Sequence, residues 1–223
     1  MDLLTAPLIQ LRKVSFSYKS PHIQVLSQID FSLFADERVA LMGANGSGKS
    51  TLLHLLVGLL RPSTGEIEIF GQVRREEPDF VKVRGAIGLL FQETDDQLFC
   101  PTVVEDIAFG PLNQSKSKIE VQEIINNTLK LVNLKGYEER ITYKLSGGEK
   151  RLVALATVLA MQPEILLLDE PTNGLDEDFQ QRLTEVLLQL PQAMLIVSHD
   201  KNFLARVTQR QVLLREGRLV TEV

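Results

Sequence analysis

The run Gly43-Ala44-Asn45-Gly46-Ser47-Gly48-Lys49-Ser50-Thr51 contains the full pattern G-x-x-x-x-G-K-[ST]. Each residue type in it suits a bound polyphosphate. Glycines let a loop curl so that its N–H groups turn inward onto phosphate oxygens. Lys49 can reach the terminal phosphates, and the Ser50 hydroxyl can ligate Mg²⁺. Gly43, Asn45, Gly46, Ser47, Gly48, Lys49, Ser50 and Thr51 are therefore the expected nucleotide contacts. A chance glycine-rich turn would read the same in isolation, so the flanks decide. Val39-Ala40-Leu41-Met42 is a short apolar run before the loop, and Lys49 to Leu59 is apolar nearly all round after it. That is a buried strand feeding a buried helix, whose positive end faces the same anion.

Two acids follow far along the chain. Ile165-Leu166-Leu167-Leu168-Asp169-Glu170 sets them at the end of another buried strand, and ligands of open α/β sheets bind at the carboxyl ends of strands. Asp169 suits Mg²⁺, directly or through water. Glu170 suits polarisation of a water that attacks the γ-phosphate. Alone, the pair would read better as a strand end and a turn cap; beside the phosphate loop it does not. A third feature is Leu145-Ser146-Gly147-Gly148-Glu149. Ser146-x-x-Glu149 is a capping box at the start of an apolar helix. A cap does not require two glycines, and bare backbone at a helix N-terminus suits close approach to an anion.

On these residues the chain resembles the ATP-binding cassette (ABC) proteins. Leu145 to Glu149 looks like the signature motif, which in that family closes over ATP held by the phosphate loop of another cassette. The resemblance implies roles for Ser146, Gly147 and Gly148 on a neighbouring subunit's nucleotide. Tyr18 resembles the aromatic that stacks on adenine, although a strand-face aromatic is an equal reading. Gln92 resembles the glutamine that senses the γ-phosphate and Mg²⁺. Asn173-Gly174-Leu175-Asp176 is similar to the loop linking the two sites, and Ser198-His199-Asp200 to the switch-histidine segment. The resemblance thus implies Lys49, Gln92, Glu170 and His199 as catalytic, Asp176 as a nucleotide-side residue, and Ser50, Gln92 and Asp169 as the metal set. His22 and His54 match nothing and read as structural.

The segment from Phe91-Gln92-Glu93-Thr94-Asp95-Asp96 through Phe109-Gly110-Pro111-Leu112-Asn113 is similar to the ATPases of energy-coupling-factor importers, as is Gly147 to Arg151. Those importers take up cobalt, nickel or vitamins. Leu152 departs from that pattern, where a second arginine is common, and many members carry a long C-terminal extension where this sequence stops at Val223, just after its hairpin. The expected cofactors are ATP and Mg²⁺. The expected partners are a second cassette subunit, in a homodimer or heterodimer, and an integral membrane transporter subunit. The expected location is peripheral, on the cytoplasmic face of the cell membrane. Leu98, Phe99, Val103 and Phe109 would offer apolar anchors to a helix of that partner, with Asp95 and Asp96 at the rim.

Two rivals stand against this. A chromosome-maintenance cassette would insert a long coiled coil, but Lys49 and Ser146 are only 97 positions apart. A nucleotide-gated module without turnover would not need Glu170.

These residues need a scaffold. Leu8 to Tyr18, Ile29 to Phe34 and Glu66 to Phe70 read as alternating strands, and Gly85 to Phe91, Ile165 to Leu168 and Ala193 to Val197 as buried ones. Ile119 to Val132, Arg151 to Met161 and Phe179 to Leu190 read as helices, and Gln211 to Val220 as a hairpin. Short apolar strands alternating with helices imply a parallel-rich α/β sheet. With the resemblance, the expected fold is a P-loop NTPase core with an N-terminal antiparallel β subdomain and an inserted helical subdomain. It would form a single domain over 1–223, the core about 1–92 and 159–223 and the insertion about 93–158.

Composition bounds the rest. Of 223 residues, 44% are apolar and 24% charged, with a formal net charge of -5. An acidic chain of this kind does not look for a nucleic-acid backbone. A single cysteine, Cys100, excludes an internal disulfide and fits a reducing compartment. Met1 to Pro7 lacks a basic stretch and an apolar core, so it is not expected to be a leader. No apolar run approaches the ~20 residues of a spanning helix.

Overall fold

The computed structural model describes residues 6–19 and 22–220. Met1 to Thr5, within the segment weighed as a leader, lie outside these residues, as does the side chain of His22.

The chain opens with β1 (Ile9–Lys19) and β2 (His22–Leu33), then β3 (Arg38–Met42) and α1 (Lys49–Leu56). Next come β4 (Thr64–Ile69), β5 (Gln72–Arg74), α2 (Glu77–Val81) and β6 (Ile87–Leu90). Three helices follow: α3 (Val103–Asn113), α4 (Lys118–Leu131) and α5 (Gly147–Leu159). The last part is β7 (Ile165–Asp169), α6 (Glu177–Gln189), β8 (Ala193–Val197), α7 (Lys201–Val207), β9 (Arg210–Arg215) and β10 (Arg218–Val220).

Two sheets form. One is antiparallel, in the order β2-β1-β4-β5. The other runs β10-β9-β3-β8-β7-β6 and is parallel except at its β9–β10 hairpin. This is the expected class: an antiparallel N-terminal sheet beside a parallel-rich one, with a helical group between β6 and β7.

The period of two within the buried strands divides the core. Val39, Leu41, Ile165, Leu167, Leu195 and Val197 point to one face, where they pack with α1 and the antiparallel sheet. Ala40, Leu166, Leu168, Met194 and Ile196 point to the other, against α5, α6 and the residues of α3 and α4. Both faces of the sheet are therefore covered, which is why its strands read as unbroken apolar runs.

Several elements differ from the sequence expectation. Helix α1 stops at Leu56 rather than Leu59 because Gly58 turns left-handed (φ +72°) under Phe80. Helix α5 starts four residues before Arg151, at the cap set by Ser146. Strand β2 begins at His22, well before Ile29. The pairing of β1 with β2 is irregular where Lys13 and Gln28 adopt positive φ, and Asp30 and Ser15 accept their N–H groups at 3.0 Å each. Helices α2, α3 and α7 had no legible period; α2 and α7 have five and seven residues, and α3 carries Pro111 inside it. The stretch 93–158 takes in α3, α4 and nearly all of α5. Because α5 packs on β6 as well as on α3 and α4, it is shared between the helical group and the sheet.

Candidate nucleotide site

Parallel pairing brings the ends of β3, β7 and β8 to one edge of the sheet, with β6 beside β7. The segments that leave those ends are the phosphate loop, Asp169-Glu170, Ser198-His199 and Phe91-Gln92. Together they line a cleft of about 780 Å³. Tyr18, Asn45, Gly46, Gly48, Lys49, Ser50, Thr51, Gln92, Asp169, Glu170 and His199 all line it. Residues over 180 positions apart thus meet where open α/β sheets hold ligands.

The loop is built as its composition required. Gly48 caps α1 with φ +105°, and a Cβ there would stand 2.7 Å from Val25. Lys49 is buried, and its Nζ donates to the carbonyls of Gly43 at 2.8 Å and Ala44 at 3.0 Å. Burial lowers its pKa, while the nearby Glu170 and Asp169 act to raise it. An ammonium held by two carbonyls keeps one N–H free for a phosphate oxygen. Tyr18 donates to or accepts from Thr51 Oγ1 at 3.2 Å and meets Phe16 edge-to-face at 4.9 Å. It is braced at the mouth of the cleft with one face open.

The acids sit opposite. Asp169 is buried, and its Oδ1 has no hydrogen-bond partner; the same is true of Glu170 Oε1. A buried, unpaired carboxylate oxygen is costly unless a cation or water completes it. Glu170 has φ +46°, a conformation few non-glycine residues adopt and one that gathers at functional sites. Its backbone N–H donates to Val197 O at 2.9 Å, fixing the turn. The His199 N–H donates to Glu170 Oε2 at 3.3 Å, and His199 Nε2 lies 3.2 Å from Oε1 without the alignment of a hydrogen bond. Ser198 and Asp200 brace this segment: Ser198 Oγ accepts from the Asp200 N–H, and Asp200 caps α7 through Phe203 N–H.

Gln92 is positioned by its backbone. Arg151 of α5, only 5% exposed, donates to Phe91 O at 2.8 Å and Gln92 O at 2.7 Å. Gln97 Oε1 accepts the Phe91 N–H, and its amide donates to Ala154 O at 2.9 Å. The segment carrying Gln92 is thereby tied to α5. Asp106 performs a similar task further on, accepting from Phe99 N–H, Cys100 N–H and Thr142 Oγ1. Burial, then Asp106, pushes the Cys100 thiol up to about 11, which suits an inert thiol. Among the described residues no cluster of three His, Cys, Asp or Glu side chains could hold a metal alone.

Six expected contacts stand off the lining: Gly43, Ser47, Ser146, Gly147, Gly148 and Asp176. Gly43 acts through its carbonyl. Asp176 caps α6, accepting from Phe179 N–H at 2.9 Å. Ser146 Oγ accepts from Glu149 N–H at 3.3 Å while Glu149 Oε2 accepts from Ser146 N–H at 2.8 Å, the reciprocal capping box. The two glycines differ. Gly147 faces open space, whereas a Cβ on Gly148 would stand 2.3 Å from the Phe179 ring. Packing inside this chain thus gives a second reason for glycine at 148, beside the bare-backbone argument that applies to both positions.

The cleft also uses Val25, Thr172 and Ser198. Val25 lies on the half of β2 that had no strand signal. Arg151 and Asp106 carried no signal as positioning groups; only their depth in the fold reveals it. The expected apolar anchors divide. Phe99 and Phe109 are exposed (65% and 49%) and stack edge-to-face at 4.8 Å. Leu98 and Val103 are instead part of the core, because 3-10 and helical turns point them inward.

A phosphate loop at a helix start, facing two strand-end acids on a parallel-rich sheet, defines a nucleotide-binding α/β protein. Comparison with known proteins narrows the class. The family described as ABC transporter matches residues 26–173, and the chain belongs to it, among the ABC transporter ATP-binding subunits. It is 52% identical over 214 residues to a putative ABC transporter ATP-binding protein of Brucella suis biovar 1, covering 96% of this chain and 88% of that one. It is 42% identical over 219 residues to the energy-coupling factor transporter ATP-binding protein EcfA of Methanothermobacter thermautotrophicus, covering 96% and 70%. Among solved structures, cbiO1 from Clostridium perfringens, described as part of the ABC transporter complex cbiONQ, superposes with TM-score 0.86 at 31% identity, covering 96% and 87%. The ATP-binding cassette MJ0796, solved as a dimer in a post-hydrolysis state with ADP and Pi, gives TM-score 0.86 at 28% identity, covering 96% and 98%. ATP hydrolysis is the activity expected of this family.

Proposed function

We propose that two copies of this cassette, or this chain and a related one, close around two ATP molecules and hydrolyse them to power import through an integral membrane partner. The observation that carries the reading is the split of the expected site. Lys49, Gln92, Asp169, Glu170 and His199 share one cleft, while Ser146 and Gly147 are exposed elsewhere on the same chain. A signature that does not line its own cleft suits another chain's nucleotide. The dimeric, ADP- and Pi-bound relative supports the same arrangement.

In this reading Lys49 and the amides of the loop hold the phosphates. Ser50, Gln92 and Asp169 offer the oxygen set that suits Mg²⁺, with water and phosphate completing it. The unpaired Asp169 Oδ1 fits that assignment. Mg²⁺ supplies charge neutralisation on the β- and γ-phosphate oxygens. Glu170 orients the attacking water, and His199, held against Glu170, faces the γ-phosphate. Tyr18 takes the base.

The likeness to an energy-coupling factor subunit and to cbiO1 supports an importer for cobalt, nickel or a vitamin, with the chain peripheral on the cytoplasmic face. Among the described residues no helix is long and apolar enough to cross a membrane, and in this reading the partner supplies the membrane span. The exposed Phe99 and Phe109, beside a groove of about 320 Å³ lined by Asp95, Phe99, Pro101, Tyr143 and Lys150, suit a short helix of that partner.

Mixing two inactive variants tests the shared site. In a dimer of Ser146→Arg with Lys49→Ala, one composite site carries both lesions and the other carries neither. Turnover should return on mixing. If each variant alone hydrolyses ATP normally at every protein concentration, the shared-site reading is wrong.

A further inference from the structure

The N-terminus of α5 carries a charge problem. The start of a helix presents about half a positive elementary charge, which is the attraction a signature helix would offer a triphosphate. Glu149, at the third position of α5, places a full negative charge on the same turn. Its hydrogen bond from Ser146 N–H lowers its pKa further, so it is ionised at neutral pH. Taken alone, the pair leaves the helix start negative by about half a charge, which would repel ATP.

Arg140 reverses that balance. Its Nη1 lies 3.0 Å from Glu149 Oε1, and Tyr137 donates to the same oxygen at 2.8 Å. The guanidinium stacks 3.7 Å over the Tyr137 ring, which fixes it on the exposed side of the cap. Arg182 lies 5.3 Å over the Phe179 ring, beside Gly148, and adds positive charge near the same helix start without pairing Glu149, and Lys150 is paired with Asp95 at 2.6 Å. A half-exposed ion pair adds little to stability, so stability does not explain the arrangement.

We propose that Arg140 is a positioning residue for nucleotide-driven closure: by neutralising Glu149 it keeps the start of α5 positive toward the triphosphate bound on the facing cassette. This rests on the shared-site reading above. Removing one unit of charge a few ångströms from a triphosphate across a partly solvated gap weakens closure by about tenfold. The effect fades with salt, because the gap is wet.

The test uses full-length protein carrying Glu170→Gln, so that ATP is bound without being consumed, and reads the ATP concentration at which half of the chains associate. Arg140→Met should raise that concentration about tenfold at low salt and by much less at 0.5 M salt, roughly the range where screening falls below 5 Å. Arg140→Lys should stay near the parent. Adding Glu149→Gln to Arg140→Met should restore the parental value, because glutamine still completes the capping box. A merely structural Arg140 would not be rescued by losing its own partner. Unchanged association in Arg140→Met, or no rescue by Glu149→Gln, overturns the proposal. If the parent itself fails to associate with ATP, and the Ser146→Arg and Lys49→Ala mixture fails to regain turnover, the shared-site reading falls and takes this inference with it. Recovery in the mixture with no effect of Arg140→Met removes the inference alone.

Discussion

Arg151→Met is the substitution for which the structure gives a worked expectation. The arginine is 5% exposed and donates to two successive carbonyls, Phe91 O and Gln92 O. Among the described residues no carboxylate forms an ion pair with it. Each charge-assisted bond is worth about 1.5–3 kcal/mol, so the two together are worth roughly 3–6 kcal/mol. Methionine fills similar space and removes the cost of burying a cation, which offsets about 1–3 kcal/mol of that loss. The net destabilisation lies between about 0 and 5 kcal/mol, centred on about 2.5 kcal/mol, at which Tm should fall by about 5–10 °C for a chain of this size. A functional consequence accompanies it. With only Gln97 left to tie Phe91 to α5, the Gln92 backbone loses its direct hold on that helix, and kcat should fall by about tenfold. Nucleotide affinity of the isolated chain should hold, because Lys49 and its loop are untouched. Thermal melting, equilibrium binding of a fluorescent ATP analogue and steady-state turnover measure the three quantities. A Tm within about 1–2 °C of the parent would show that the two hydrogen bonds do no more than offset the cost of burying the cation. A lower Tm with parental kcat would show that Arg151 is structural and does not position Gln92.

Glu170→Gln should keep ATP binding and lose about 10²–10⁴-fold in turnover, the usual share of a positioned base; hydrolysis near the parental rate would remove Glu170 from that role. Gly148→Ala should destabilise by about 1–3 kcal/mol because its Cβ meets the Phe179 ring at 2.3 Å, and Phe179→Leu in the same chain should recover much of that loss. Gly147→Ala meets nothing within 4 Å, so its Tm should stay at or above the parent; equal Tm values for the two alanine variants would contradict the packing argument. Asp96→Arg changes an exposed residue outside the cleft, so ATP binding should persist while association with the membrane subunit and substrate uptake drop; parental uptake would place the docking surface elsewhere.

The residue types of the loop and the acids, and the strands that carry them, were legible without a structure. Local rules suffice for these. Gly43 to Thr51 is a contiguous pattern, and buried parallel strands such as Ile165 to Asp169 and Ala193 to Val197 are apolar on both faces, so they stand out without any knowledge of neighbours. The capping box at Ser146 and Glu149 is equally local, since its partners are three residues apart.

Other features depend on contacts between distant segments. That Arg151 grips Phe91 and Gln92 across 60 and 59 positions cannot be read from a helix whose other residues are apolar. Asp106 looks like any acid in a first helical turn until Phe99, Cys100 and Thr142 converge on it. Leu98 and Val103 matched a docking stripe in type, yet backbone direction turned them into the core and left Phe99 and Phe109 outside. Gly148 reads as an anion contact from its place at a helix start, and the Phe179 ring beside it adds a packing reason for glycine that no local pattern shows. In each case residue type was legible and orientation was not, because orientation is fixed by the packing of the whole chain.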